Sequence, residues 1–425
     1  MCAFLRTGHQ KKMKTLYKNM ASIGMLQIAN YLIPFLVLPI VSRVLGASLF
    51  GSVSYAQNIV IYLTLLVNFG FEYSATRQIA IAGEDKERKR RVFWSVLTVK
   101  SILLLLSFAI LGVLALCMDR VAADPRLYVY AALTNIGLVL FPTWYLQGEQ
   151  QMDKMALMNF FVKLLGAALV LALVREASAY RLYPLLLSLS SIIVGIAALI
   201  YVLRRFKIGG YICSLQSLRD VVKSSWPIFL NNVFVSLYTT ANMTILGVFA
   251  DDEVVGYFSA SHKLIIALIM IVVLPVSTTV YPEISRRFEQ SKAEGIRFLK
   301  RVMLYAGMAS AAVSIATYCI APLAIRIVYG AGFMPAVEVL RWLSPIPFLV
   351  MMATLLTVQG MYGMGLQKWA PWVGMTLAVV CVTMNILLIP RLGVRGVCIS
   401  WIVAEMLECV LSYLVITVKG RKQIS

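Results

Sequence analysis

About twelve long apolar segments, each near the roughly 20 residues a helix needs to cross a bilayer, alternate with short connections. Lys and Arg crowd into every second connection. A chain of 425 residues that is 60% hydrophobic, with a mean hydropathy of +0.83, and still carries a formal charge of +20 must keep its cations out of hydrocarbon by arrangement. The pattern predicts an all-α polytopic membrane protein with spans over 17–44, 51–80, 92–118, 127–148, 155–174, 180–203, 224–250, 254–284, 298–325, 337–362, 369–389 and 394–418.

The cations orient it. Arg6, Lys11, Lys12, Lys14 and Lys18 precede or open the first span, and Lys86, Arg88, Lys89, Arg90 and Arg91 fill the second connection. Arg204, Arg205, Lys207, Arg219 and Lys223 fill the sixth, and Arg286, Arg287, Lys292, Arg297, Lys300 and Arg301 the eighth. The first connection has only Arg43, and the seventh is Asp251-Asp252-Glu253. By the positive-inside rule both termini and the even-numbered connections are expected to be cytoplasmic. The expected layout is a tail over 1–16, a six-helix half over 17–203, a linker over 204–223, a second half over 224–418 and a tail over 419–425.

Several classes of function are disfavoured. The basic residues lie in short loops with no folded domain around them, which suits anionic lipid headgroups and not nucleic acid. The seven cysteines show no ligand spacing and fall mostly within spans, and His9 and His262 stand outside any HExxH motif or carboxylate cluster, so no metal or cofactor is expected. The outer connections are too short to fold into a catalytic domain, and the chain is not expected to be an enzyme. No cleavable signal peptide is expected, because the first apolar stretch is too long and lacks a small-residue cleavage site. Met13-Lys14 would open the same basic tail, so residues 1–12 read as a start-site extension.

A shift of about 205 positions lays Gly51-Ser52 through Asn58 on Gly256-Tyr257 through Lys263, and a similar shift lays Gln147-Gly148 on Gln359-Gly360. These matches predict two six-helix halves of the same orientation around a central cavity. Lys100, Lys163 and Lys263 lie well inside spans, at a cost that requires water or partners around them. Asn159 and Lys163 share a face of span 5; Ser259, His262 and Lys263 share one on span 8; Gln27, Asn30, Tyr31 and Pro34 form a stripe on span 1; Asn231, Tyr238 and Asn242 form one on span 7. Span 1 has no acid. The candidate substrate-binding residues are therefore Lys100, Lys163, Lys263, His262, Asn159, Asn242 and Arg77, suited to an anion such as a diphosphate. The acids able to exchange a proton or other ion during a cycle are Glu72, Glu405 and Glu408, the last two at i,i+3 on span 12. His262 is a further candidate for proton coupling, since imidazole titrates near neutrality. The plainer reading of each polar group is a hydrogen bond to a neighbouring helix.

The segment from Gly330 through Phe333 and Ala336 to Leu340-Arg341 resembles the G-x-x-F-x-x-A-x-x-x-L-R element of polysaccharide flippases, the Wzx-type O-antigen transporters of the multidrug/oligosaccharidyl-lipid/polysaccharide superfamily. Pro34 through Pro39, Arg43-Val44-Leu45-Gly46, Phe50-Gly51, Tyr281-Pro282-Glu283 and Ile389 through Gly396 fit the same family in the same order. The resemblance implies a MATE-like fold in a bacterial inner membrane. It also implies a flippase that carries an undecaprenyl-diphosphate-linked oligosaccharide to the outer leaflet, with other polysaccharide-assembly proteins as partners. Two alternatives stay open: a multidrug antiporter of the same superfamily, which the acid-free first span disfavours, and a non-transporting scaffold of an envelope-assembly complex.

Overall fold

The computed structural model describes the backbone of residues 2–421; side chains are described from residue 33 to 418, apart from 34 and 238. The expected stripe of Gln27, Asn30, Tyr31 and Pro34, the side chain of Tyr238 and the cations of the N-terminal tail lie outside the described residues. Among those described, the chain forms helices and no strands. Ten helices are long and apolar enough to cross a membrane, and a broken pair, Leu215–Leu237 with Ala241–Phe249, makes eleven. Twelve were expected from the sequence. The difference lies at the N-terminus, where most of the expected span 17–44 carries no described side chains.

The chain forms two compact units. The first holds residues 1–45 and 56–232, the second 46–55 and 233–425. α1 (Cys2–Asn68) serves both, and it is broken at Gly46, whose φ of 70° and ψ of 175° are not helical. Such a φ is open to glycine without the steric cost a Cβ brings.

In the first unit α2 (Phe71–Ala82) follows a sharp turn at Phe69-Gly70, both with positive φ. α3 (Lys86–Cys117) starts where the Asp85 carboxylate accepts the Arg88 backbone N–H at 2.9 Å, satisfying one of the donors a helix start leaves over. The expected span 127–148 is three short helices after α4 (Asp119–Ala123): α5 (Pro125–Ala132), α6 (Thr134–Leu140) and α7 (Thr143–Gly148). Pro142 ends α6 because it has no N–H to continue the ladder. α8 (Met152–Leu173), α9 (Leu182–Arg205) and the part of α10 (Leu215–Thr239) up to residue 232 complete the set. Phe69, Phe71, Phe93, Trp144 and Tyr145 form a buried aromatic core where α2, α3 and α7 meet. Ion pairing of Lys89 with Glu149, at 2.5 Å, fastens α3 to the end of α7.

The second unit contains α11 (Ala241–Phe249), α12 (Asp252–Gln290), α13 (Lys292–Val328), α14 (Ala336–Leu343), α15 (Ile346–Thr354), α16 (Ala370–Leu392) and α17 (Val394–Arg421). α15 runs on into a π-helical stretch, Leu355–Met361. The repeat is visible here as a reciprocal contact. A Cβ on Gly51 would overlap the Asp252 carbonyl oxygen, and one on Gly256 would overlap that of Ala47. The shift of 205 that carries 51 to 256 also carries 47 to 252, so the contact is its own image under the repeat. At the second match the partners differ: Gln147 Oε1 accepts from Thr76 Oγ1 of α2 at 3.4 Å, whereas Gln359 Nε2 donates to the Ser277 carbonyl of α12 at 3.0 Å.

Candidate functional site

Lys263 lies eleven residues into α12, roughly 16 Å along the helix at 1.5 Å per residue. Its Nζ donates to Ser54 Oγ at 3.2 Å and stands 4.4 Å from the centre of the Phe50 ring, a cation–π seat. The resemblance motifs build that seat. Phe50 meets Phe333 and Tyr329 edge-on at 5.6 and 6.0 Å between ring centres, the Tyr329 hydroxyl donates to the Ala260 carbonyl at 2.9 Å, and Ser261 Oγ donates to the Ala336 carbonyl at 2.9 Å. Gly330 turns the chain into this corner at a φ of 89°. Among the described residues no carboxylate lies within ion-pair distance of Lys263, and its ammonium has three donors. It is a half-buried cation with capacity for an anion.

The neighbouring residue leads to the acids. The His262 ring lies 5.1 Å from that of Trp401, whose indole N–H donates to Glu405 Oε1 at 3.0 Å. One turn along α17, Glu408 Oε1 accepts from Thr357 Oγ1 at 3.0 Å, and Thr357 and Ser412 share a bond of 2.8 Å. Thr357 sits in the π-helical stretch, a distortion that recurs at functional sites because it re-aims side chains. Asn242, on α11, accepts from Asn385 Nδ2 at 2.7 Å, and both side chains are fully buried beside Cys381. The structure thus links His262, the neighbour of Lys263, to Glu405 through Trp401, while Glu408 bonds Thr357 instead; Trp401 and Thr357 are two residues the sequence reading did not single out. Trp401 was findable, being i,i+4 from Glu405 on one helix.

The first unit separates its candidates. Lys100 is 1% exposed and its Nζ donates to the Leu138 carbonyl at 3.1 Å. In a regular helix that carbonyl would accept from residue 142, but residue 142 is Pro and has no N–H. Lys100 therefore supplies the donor that Pro142 withholds, a structural partnership of the kind expected for a cation inside a span. Lys100→Met removes it and is expected to cost about 1–3 kcal/mol, read as a lowered unfolding temperature in detergent, while Lys100→Arg loses less. Lys163 is half-buried on α8 and makes no side-chain hydrogen bond or ion pair among the described residues; Asn159, one turn earlier, donates to its own helix at the Met155 carbonyl over 3.4 Å. Glu72 is exposed in the first turn of α2, after the Gly70 break. Arg77, five residues on, is also exposed, and the two form no ion pair with each other.

Comparison with known proteins agrees with this fold. Two solved structures share it: one described as "Lipid II flippase MurJ, inward closed conformation", with TM-score 0.73, 13% identity and coverage of 93% of this chain and 87% of that one, and an inward-facing multidrug resistance MATE family transporter of the MOP superfamily, with TM-score 0.68, 16% identity and coverage of 96% and 98%. The fold is MATE-like. Two relatives carry the name "Putative O-antigen transporter". That of Escherichia coli (strain K12) is 26% identical over 82% of this chain and 83% of its own length, and that of Shigella dysenteriae is 28% identical over 92% and 97%. The family described as "Polysaccharide biosynthesis protein" matches residues 16–288, well over half of the 425. With its run of membrane-spanning helices, the chain is a multi-pass membrane protein that belongs to this polysaccharide biosynthesis family.

Proposed function

We propose that the protein is a flippase carrying an undecaprenyl-diphosphate-linked oligosaccharide, the repeat unit of an O-antigen or a capsular polysaccharide, from the cytoplasmic to the outer leaflet of the bacterial inner membrane. The observation that carries this reading is Lys263: a cation inside a span with no acid paired to it among the described residues, seated on Phe50 and Ser54 by the family's own motif residues. An unpaired ammonium away from bulk water is costly unless an anion visits it, and a diphosphate is such an anion. The names of the relatives and the MurJ-like fold support the same class of cargo. A transporter for cations would gain nothing from this residue, which argues against the multidrug reading. The cation bias of the even-numbered connections supports cytoplasmic termini.

The test is complementation. In a bacterium deleted for its own O-antigen flippase, supplied with the matching glycan genes, expression of this chain is expected to restore surface O-antigen. If lipid-linked repeat units go on accumulating inside while the protein is present in the membrane, the reading is wrong.

Coupling belongs to the same proposal. Glu405 and Glu408 are carboxyls held by neutral donors, so a proton can join or leave without breaking an ion pair, and Trp401 links Glu405 to the helix that carries Lys263. In proteoliposomes an imposed pH gradient is expected to change the flipping rate of the parent protein, and Glu405→Gln to reduce that response several-fold. A response that survives Glu405→Gln and Glu408→Gln together would remove these acids from the cycle.

A further inference from the structure

Away from Lys263, a cleft of about 350 Å³ opens at the turn between α12 and α13. Four arginines line it, Arg286 and Arg287 from the last turns of α12 and Arg297 and Arg301 from the first turns of α13. Glu283 holds the first pair, at 2.9 Å to Arg286 and 2.7 Å to Arg287. The Arg287 guanidinium also lies 3.9 Å from the Phe298 ring centre, which clasps the two helix ends together. Arg297 and Arg301 are different. They are exposed, stand four residues apart on one face, and among the described residues no carboxylate is within ion-pair distance of either. Glu294, the other acid of the lining, forms no such pair among these residues.

Two like charges at i,i+4 repel, so the cleft is built at an electrostatic cost that a bound anion would reverse. Guanidinium groups match phosphate in shape, and a third, Arg287, is fixed at the edge of the same cleft. What lies beside it favours a lipid. Over the two turns beyond Arg301, α13 exposes Leu304, Tyr305 and Met308, at 59%, 62% and 53%, and Tyr281 of α12 is exposed as well. Cations at the helix ends, followed within two turns by exposed aromatic and aliphatic side chains, match the passage of a bilayer from headgroup to interface and acyl chain.

We propose that this cleft binds the phosphate of an anionic phospholipid headgroup, with Arg297 and Arg301 as its principal partners and the acyl chains lying along Leu304 and Met308. The assignment of that lipid to the cytoplasmic leaflet rests on the orientation proposed above; the binding itself does not. The bound lipid would pin the α12–α13 turn to the membrane face, more than about 30 Å along α12 from Lys263 at helical rise.

The test uses the purified full chain in detergent, with native mass spectrometry reading retained lipid. Dioleoyl phosphatidylglycerol is expected to be held in preference to dioleoyl phosphatidylcholine. Arg297→Gln with Arg301→Gln should weaken its binding about 30-fold, the effect of removing two surface cations. Arg297→Lys with Arg301→Lys should retain most of it, and Arg204→Gln with Arg205→Gln, in the first unit, should leave it unchanged. Equal retention of the two lipids, or equal retention by parent and glutamine variant, overturns the proposal. So does inorganic pyrophosphate binding at the cleft without phosphatidylglycerol preference, which would give the site to the diphosphate of the cargo. Since no flipping is measured, failure here leaves the flippase reading standing.

Discussion

Lys263→Glu is expected to reduce transport at least about 100-fold while the protein still reaches the membrane. Opposite charges about 4 Å apart attract by about 4 kcal/mol at an effective dielectric near 20, and reversal turns that attraction into repulsion of similar size. Loss of the attraction alone would exceed a factor of 100. The substitution also puts a carboxylate against the face of Phe50, whose quadrupole repels it. Lys263→Met separates the two effects, because it keeps the length and apolar stem of the side chain and removes only the charge. It is expected to fold and to transport poorly, and Lys263→Arg to retain substantial activity. The measurement is surface glycan in the complemented strain, normalised to protein in the membrane. Full activity of Lys263→Met would mean that the ammonium is a structural donor to Ser54 and nothing more.

Gly256→Leu is expected to abolish the folded protein. A Cβ at this position meets the backbone carbonyl of Ala47, which cannot rotate away as a side chain could, and the reciprocal position, Gly51, meets that of Asp252. Overpacking against movable side chains costs about 1–3 kcal/mol, and against backbone more, because the whole segment must shift. That segment carries Phe50 and Ser54, so a shift that relieved the clash would also unseat Lys263. Gly256→Ala and Gly51→Ala should already lower the unfolding temperature. Gly112→Leu, where a Cβ meets nothing within 4 Å, should behave as the parent. The readout is the monodisperse fraction in size-exclusion chromatography and its thermal midpoint.

Much of this architecture was legible in the sequence, for physical reasons. Membrane helices satisfy their own backbone, so apolar length and cation bias alone give most of the spans. The glycines of the resemblance motifs carry their explanation with them: Gly46, Gly330 and Gly393 all have positive φ, and Gly51, like its repeat counterpart Gly256, lies where helices approach too closely for a Cβ. Breaks within spans were less legible. Pro142 announces the end of α6, but the turn at Phe69-Gly70 uses a phenylalanine at a φ of 45°, which no local signal requires. Contacts distant in sequence were invisible. Ser54 lies 209 residues from Lys263 and Thr357 lies 51 from Glu408, separations that helical periodicity cannot pair. The same limit explains why Lys100, Lys163 and Lys263 read alike in the sequence. Only tertiary contacts reveal that Lys100 completes a helix end, that Lys263 has a built seat, and that Lys163 has neither.

The most direct test of the account is reconstitution of the purified protein into liposomes containing a fluorescent undecaprenyl-diphosphate-linked oligosaccharide, with the fraction exposed on each leaflet followed by a membrane-impermeant quencher. The account predicts that the parent protein moves the lipid across the bilayer far faster than empty liposomes or liposomes with Lys263→Met, and that undecaprenyl-linked glycan without the diphosphate is moved poorly. Equal rates with and without the protein, or equal handling of the lipid with and without its diphosphate, would contradict it.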